Sequence, residues 1–143
     1  DYRVIDFLPS HVAEHGNSIF EEVESYFLQD KQLQEFCDKA IAIILKVICY
    51  YPFEVYVEEY LPLKPKRSGW LKEKRCDLLV KILKRVIMKK KGQVDILLGK
   101  ENSIISITGG VLSIAVYNES ESLRDLLDKV VGTEGLYYWK YRV

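Results

Sequence analysis

Apolar residues recur at helical spacing through most of the first ninety or so positions and alternate through much of the remainder. Ile19, Phe20, Val23, Tyr26 and Phe27 mark a first helix, opened by Asn17 and Ser18, with Ser18 and Glu21 spaced as a capping box. Gln29-Asp30 reads as a break. A second helix follows, with Leu33, Phe36, Cys37, Ala40, Ile41, Ile44, Leu45 and Ile48 turned inward. From Ala40 it is apolar on most faces, which predicts a central buried helix stopped by Pro52. A third stripe (Leu71, Leu78, Leu79, Ile82, Leu83, Val86, Ile87) predicts a helix from about Trp70 to Lys91, ended by Gly92.

Shorter periods predict strands. Tyr2–Leu8 is an apolar run closed by Pro9, and Phe53–Leu61 alternates as an extended edge segment. Pro62, Pro65 and Gly69 then mark a loop. Val94–Leu98, Ser103–Thr108 and Val111–Tyr117 form a meander with turns at Gly99–Asn102 and Gly109-Gly110. Ser120 or Ser122 caps a last helix carrying Leu123, Leu126, Leu127, Val130 and Val131. Gly132–Gly135 breaks it, and Leu136–Val143 closes the chain as an aromatic strand. The expected fold is α+β over one domain, residues 1–143, with an antiparallel sheet of about four to five strands and three to four helices packed mainly on one face.

A chain of 143 residues can bury a core without staples. Cys37, Cys49 and Cys76 lack paired spacing, which argues against a disulfide framework, and their apolar helical settings predict small buried thiols suited to a cytoplasmic location. The N-terminus does not read as a signal peptide, and the Ala40–Tyr51 run, interrupted by Lys46, is too short for a membrane span. The net charge of zero conceals a segregated layout: residues 1–63 hold twelve carboxylates against four cations, and residues 64–91 hold twelve cations against two carboxylates. Such asymmetry bears on partners more than on fold.

His11-Val-Ala-Glu14-His15 matches HxxEH, in which two histidines on a helix bind zinc and the glutamate serves as base. Here Pro9 and Gly16 confine it to little more than one turn, so the expectation is exposed histidines without a metal. No GxSxG, dinucleotide or phosphate-loop pattern occurs, and both histidines belong to that one segment, so neither a catalytic residue nor a cofactor is expected. The basic segment 70–91, with Lys72, Lys74, Arg75, Lys81, Lys84, Arg85, Lys89, Lys90 and Lys91, could neutralise phosphates or meet an acidic protein surface. Glu54, Tyr56, Glu58, Glu59 and Tyr60 combine aromatic anchors with carboxylates, the composition of a face that holds a basic protein partner. The competing assignment is an ordinary edge strand with its glutamates in water.

Gly109–Asn118, the helix with Leu123, Leu126 and Leu127, and Glu134–Trp139 resemble the C-terminal part of small bacterial immunity proteins of polymorphic or contact-dependent toxin systems. The resemblance implies a non-enzymatic inhibitor that binds its cognate toxin domain, such as a basic nuclease, in the cytoplasm. It carries over no functional residue and leaves oligomeric state open. The alternative is a nucleic-acid-binding regulator using the basic segment 70–91.

Overall fold

The computed structural model describes residues 2–12, 18–59 and 67–142. Within them the strands are β1 (Tyr2–Asp6), β2 (Glu54–Glu59), β3 (Arg67–Trp70), β4 (Gln93–Leu98), β5 (Ser103–Thr108), β6 (Ser113–Tyr117) and β7 (Tyr137–Tyr141). The helices are α1 (Ser18–Phe27), α2 (Asp30–Ile48), α3 (Cys76–Lys89) and α4 (Glu121–Thr133). All strands join one antiparallel sheet in the order β3-β2-β4-β5-β6-β1-β7. The N-terminal strand thus sits between the last strand of the meander and the C-terminal strand.

The α+β class and the four helices match the sequence, but the sheet has seven strands where about four to five are expected. Six of the seven fall on segments read as extended, all of which join the one sheet, and the seventh comes from a segment read as loop and helix. Arg67–Trp70 pairs with β2 from Glu59↔Arg67 to Tyr56↔Trp70, and the Leu71 N–H extends the pairing to the Val55 carbonyl at 2.8 Å. β2 is therefore interior, and β3 is the edge. Leu71 shares the helical phase of Leu78, but the sheet claims its backbone, so α3 begins at Cys76 instead of Trp70. At its other end the cap is Lys90, in the left-handed conformation (φ 58°) with its N–H reaching the Ile87 carbonyl, and Gly92 follows two residues on, also at positive φ (91°).

Alternation divides the sheet cleanly. Val55, Val57, Val94, Ile96, Leu98, Ile105, Ile107, Ile114, Val116 and Ile5 point to one face and form a single core with the buried sides of α2, α3 and α4. Helix α2 supplies Leu33, Phe36, Cys37, Ala40, Ile41, Ile43, Ile44 and Val47, while Leu45 and Ile48 are half-buried. Ser120 caps α4, its hydroxyl accepting from the Leu123 N–H at 3.1 Å. Glu119, just before that cap, receives Arg3, Arg124 and the Tyr138 hydroxyl, tying α4 to β1 and β7.

Of the cysteines, Cys37 alone is buried; Cys49 and Cys76 are exposed, contrary to the expectation from their apolar neighbourhoods. Both sit at helix ends, where the apolar stripe no longer faces the core. No helix among the described residues is long and apolar enough to cross a membrane.

Candidate protein-binding face

The second face of the sheet is the larger surprise. Among the described residues the helices pack on the core side, and the opposite strand positions form three rows across the sheet. The first row runs Glu54, Leu97, Ile104, Tyr117, Tyr2, Tyr141. The second runs Trp70, Tyr56, Asp95, Ser106, Ala115, Val4, Trp139. The third holds Ser68, Glu58, Gln93 and Thr108 at one end and Ser113, Asp6 and Tyr137 at the other. Seven of these side chains are aromatic, four are carboxylates, and none is lysine or arginine.

Exposure confirms an open surface. Trp70 is 55% exposed, Tyr137 48%, Tyr117 43% and Ile104 37%, all far above what a sandwiched sheet would leave to large apolar groups. At the β7 end the rings associate: Tyr2 lies 5.2 Å from Tyr117 and stacks on Tyr141 at 5.1 Å, and Trp139 stacks on Tyr141 at 6.0 Å. Residues 8–11 fold back over this margin. The Trp139 indole N–H donates to the Leu8 carbonyl at 3.0 Å, and the His11 ring meets Tyr141 edge-on at 5.2 Å. Val4, paired with Ala115 and Trp139, is buried on this side of the sheet. Burial pushes the Tyr2 hydroxyl up from its ordinary pKa, helped by Tyr141 and Tyr117, and burial also raises the Asp6 carboxyl against the pull of nearby backbone N–H groups.

The β2 end is different in kind. Tyr56 packs edge-on against Trp70 at 5.2 Å. Asp95, opposite Tyr56 on β4, accepts from the Ser106 hydroxyl at 2.6 Å and from the Gln93 amide at 2.9 Å, both on Oδ1. Lys74, on the connection into α3, places its ammonium 2.6 Å from Glu54 Oε1 and 5.8 Å from the Phe53 ring centroid. Between the two aromatic ends the floor is low, made of Ser106 and Ala115.

Of the residues singled out in sequence, Glu54, Tyr56 and Glu58 share this face. Glu59 does not. It lies on the core side, 6% exposed, and its carboxylate takes the Arg85 guanidinium at 2.8 Å beside a cleft of about 480 Å³ lined by Val57, Leu71, Leu78 and Ile82. Tyr60, Glu14 and His15 fall outside the described residues, as do the Pro62–Pro65 loop and the Ser18 side chain of the capping box. Among the described residues no group of three or more metal-ligating side chains comes together. Trp70, Asp95, Tyr117, Trp139 and Tyr141 join the face from outside the contiguous segment that the sequence singles out. The alternation of Tyr137, Trp139 and Tyr141 along one strand was the available signal.

The basic segment is partly spent within the chain: Lys74 holds Glu54, Arg75 holds Asp77 at 2.6 Å, and Arg85 holds Glu59. Lys81, Lys84 and Lys89 remain exposed along α3, on the opposite side of the molecule from the open face. No protein-family model matches this chain, and no curated protein or solved structure does either.

Proposed function

We propose that this chain is a non-enzymatic protein-binding domain, an immunity protein that neutralises a cognate bacterial toxin domain by direct binding in the cytoplasm. The observation that carries the reading is the open sheet face, with seven aromatics, four carboxylates and no strand-borne cation. Rigid aromatic groups on a sheet supply binding energy at little entropic cost, and the excess of carboxylates on the strands steers a cationic partner. A basic toxin, such as a nuclease, suits that excess. Nucleic acid does not, because stacking platforms that bind it need cations to hold the phosphates. The basic helix α3 is the surface a nucleic-acid-binding regulator would use, and three cations of its segment already serve carboxylates of the chain.

Co-expression tests the reading. The toxin domain encoded beside this chain's gene should arrest growth when made alone, spare cells that also make this chain, and co-purify with it. Arrest that persists despite folded chain, or rescue with no complex formed, would overturn the proposal.

A further inference from the structure

Resting on the protein-binding reading of the same face, we propose that the corner formed by Tyr56, Trp70 and Asp95 receives an arginine side chain of the partner. Tyr56 has Glu54 and Glu58 as its same-face neighbours along β2, each about 7 Å away at strand spacing. Across the strands its direct neighbours are Asp95 and Trp70, at the roughly 5 Å expected of facing pairs. One aromatic pair is thus framed by three carboxylates. Asp95 receives both of its side-chain hydrogen bonds on Oδ1, which holds the carboxylate in one orientation and leaves Oδ2 for a donor from outside.

The corner already handles one cation. Lys74 reaches in from the rim to Glu54 and lies over Phe53, so an ammonium settles there between a carboxylate and a ring. Arginine fits the remaining space better than lysine. Its planar guanidinium can stack flat on an exposed indole while an in-plane N–H donates to Asp95 Oδ2, a directional pairing that a compact, strongly hydrated ammonium makes less well. Trp70 offers the exposed indole and Asp95 the oriented carboxylate one strand beyond Tyr56. A second copy of this chain is a poor occupant, since the strands of this face carry four carboxylates and no cation to meet them.

Calorimetric titration of the whole chain with a hexa-arginine peptide, at two salt concentrations, tests the assignment. Binding should be measurable, weaker at high salt, and tighter than to hexa-lysine. Trp70→Leu and Asp95→Asn, each verified as folded by its melting curve, should weaken it by about tenfold or more. Glu54→Gln, at an exposed position with little bearing on folding, should weaken it by a smaller factor. Undiminished hexa-arginine affinity in the folded variants would overturn the proposal, as would equal affinity for hexa-lysine. So would tighter binding of an oligothymidylate to this face, or self-association that these substitutions abolish. Undiminished or unselective peptide binding leaves the toxin-neutralising reading standing, whereas oligothymidylate binding or self-association through this face removes both; failed growth rescue beside intact hexa-arginine binding removes that reading and keeps the corner.

Discussion

At Asp6 the Leu8 N–H approaches Oδ1 at 3.4 Å, yet burial outweighs this bond and holds the carboxyl above its ordinary pKa of 3.8. The folded chain therefore keeps a proton that the unfolded chain has released. The resulting stability is fully present below about pH 3.8 and is lost as pH rises through the folded value. Asp6→Asn, which retains an acceptor for Leu8, should melt higher than the parent at neutral pH, with the gap closing in acid. An unchanged difference across a melting series from acid to neutral would contradict the burial account. Glu58 and Glu59 show how far single residues could be read from sequence. The alternation of β2 placed Val55 and Val57 inside and Glu54, Tyr56 and Glu58 outside, as found. The same period sends Glu59 inward, where an apolar residue is expected, and Arg85 makes that burial tolerable. Charge suggested a surface residue; phase decided otherwise.

Among elements, the long stripe of α2 and the meander β4-β5-β6 were legible because each repeats its period over many residues. The β3–α3 boundary was not, because Leu71 and Leu78 satisfy a helical period that the edge pairing of Arg67–Trp70 overrides. Pairing between distant segments leaves no local trace, and the insertion of β1 between β6 and β7 is invisible for the same reason. Glycines separate close approach from mere turn chemistry. A Cβ on Gly109 would stand 2.3 Å from the Lys91 nitrogen and 2.6 Å from the Val86 carbonyl oxygen, backbone atoms that cannot step aside. On Gly132, near the end of α4, it would meet nothing within 4 Å. Gly109→Ala should therefore cost about 1–3 kcal/mol, as forced overpacking does. Gly132→Ala should instead stabilise by about 0.5–1 kcal/mol through helix propensity. Chemical denaturation of the two variants, with opposite shifts in midpoint, checks the pair; a neutral Gly109→Ala would mean the α3–β5 junction is looser than drawn.

For the molecule as a whole, the segregation of charge along the chain becomes a segregation in space. Exposed lysines line α3 on the helical side, while strand-borne carboxylates and aromatics occupy the uncovered face. Composition announced the asymmetry, but only strand order brings Tyr2, Tyr56, Trp70, Tyr117 and Trp139 onto one surface, since they lie up to 137 positions apart. Of the candidate site, the Glu54–Glu58 portion was legible because it is contiguous; the larger aromatic portion was not, because it is assembled by pairing. The central claim is that the open face, and not α3, holds the partner. Binding kinetics against the cognate toxin domain, with substitutions on each side of the sheet, test it most directly. Tyr56→Ala and Tyr117→Ala should raise the dissociation rate by about tenfold or more, while the joint change of Lys81→Glu and Lys84→Glu leaves it unaltered. Faster dissociation from the lysine reversals, with both tyrosine variants folded and unchanged, would contradict the account.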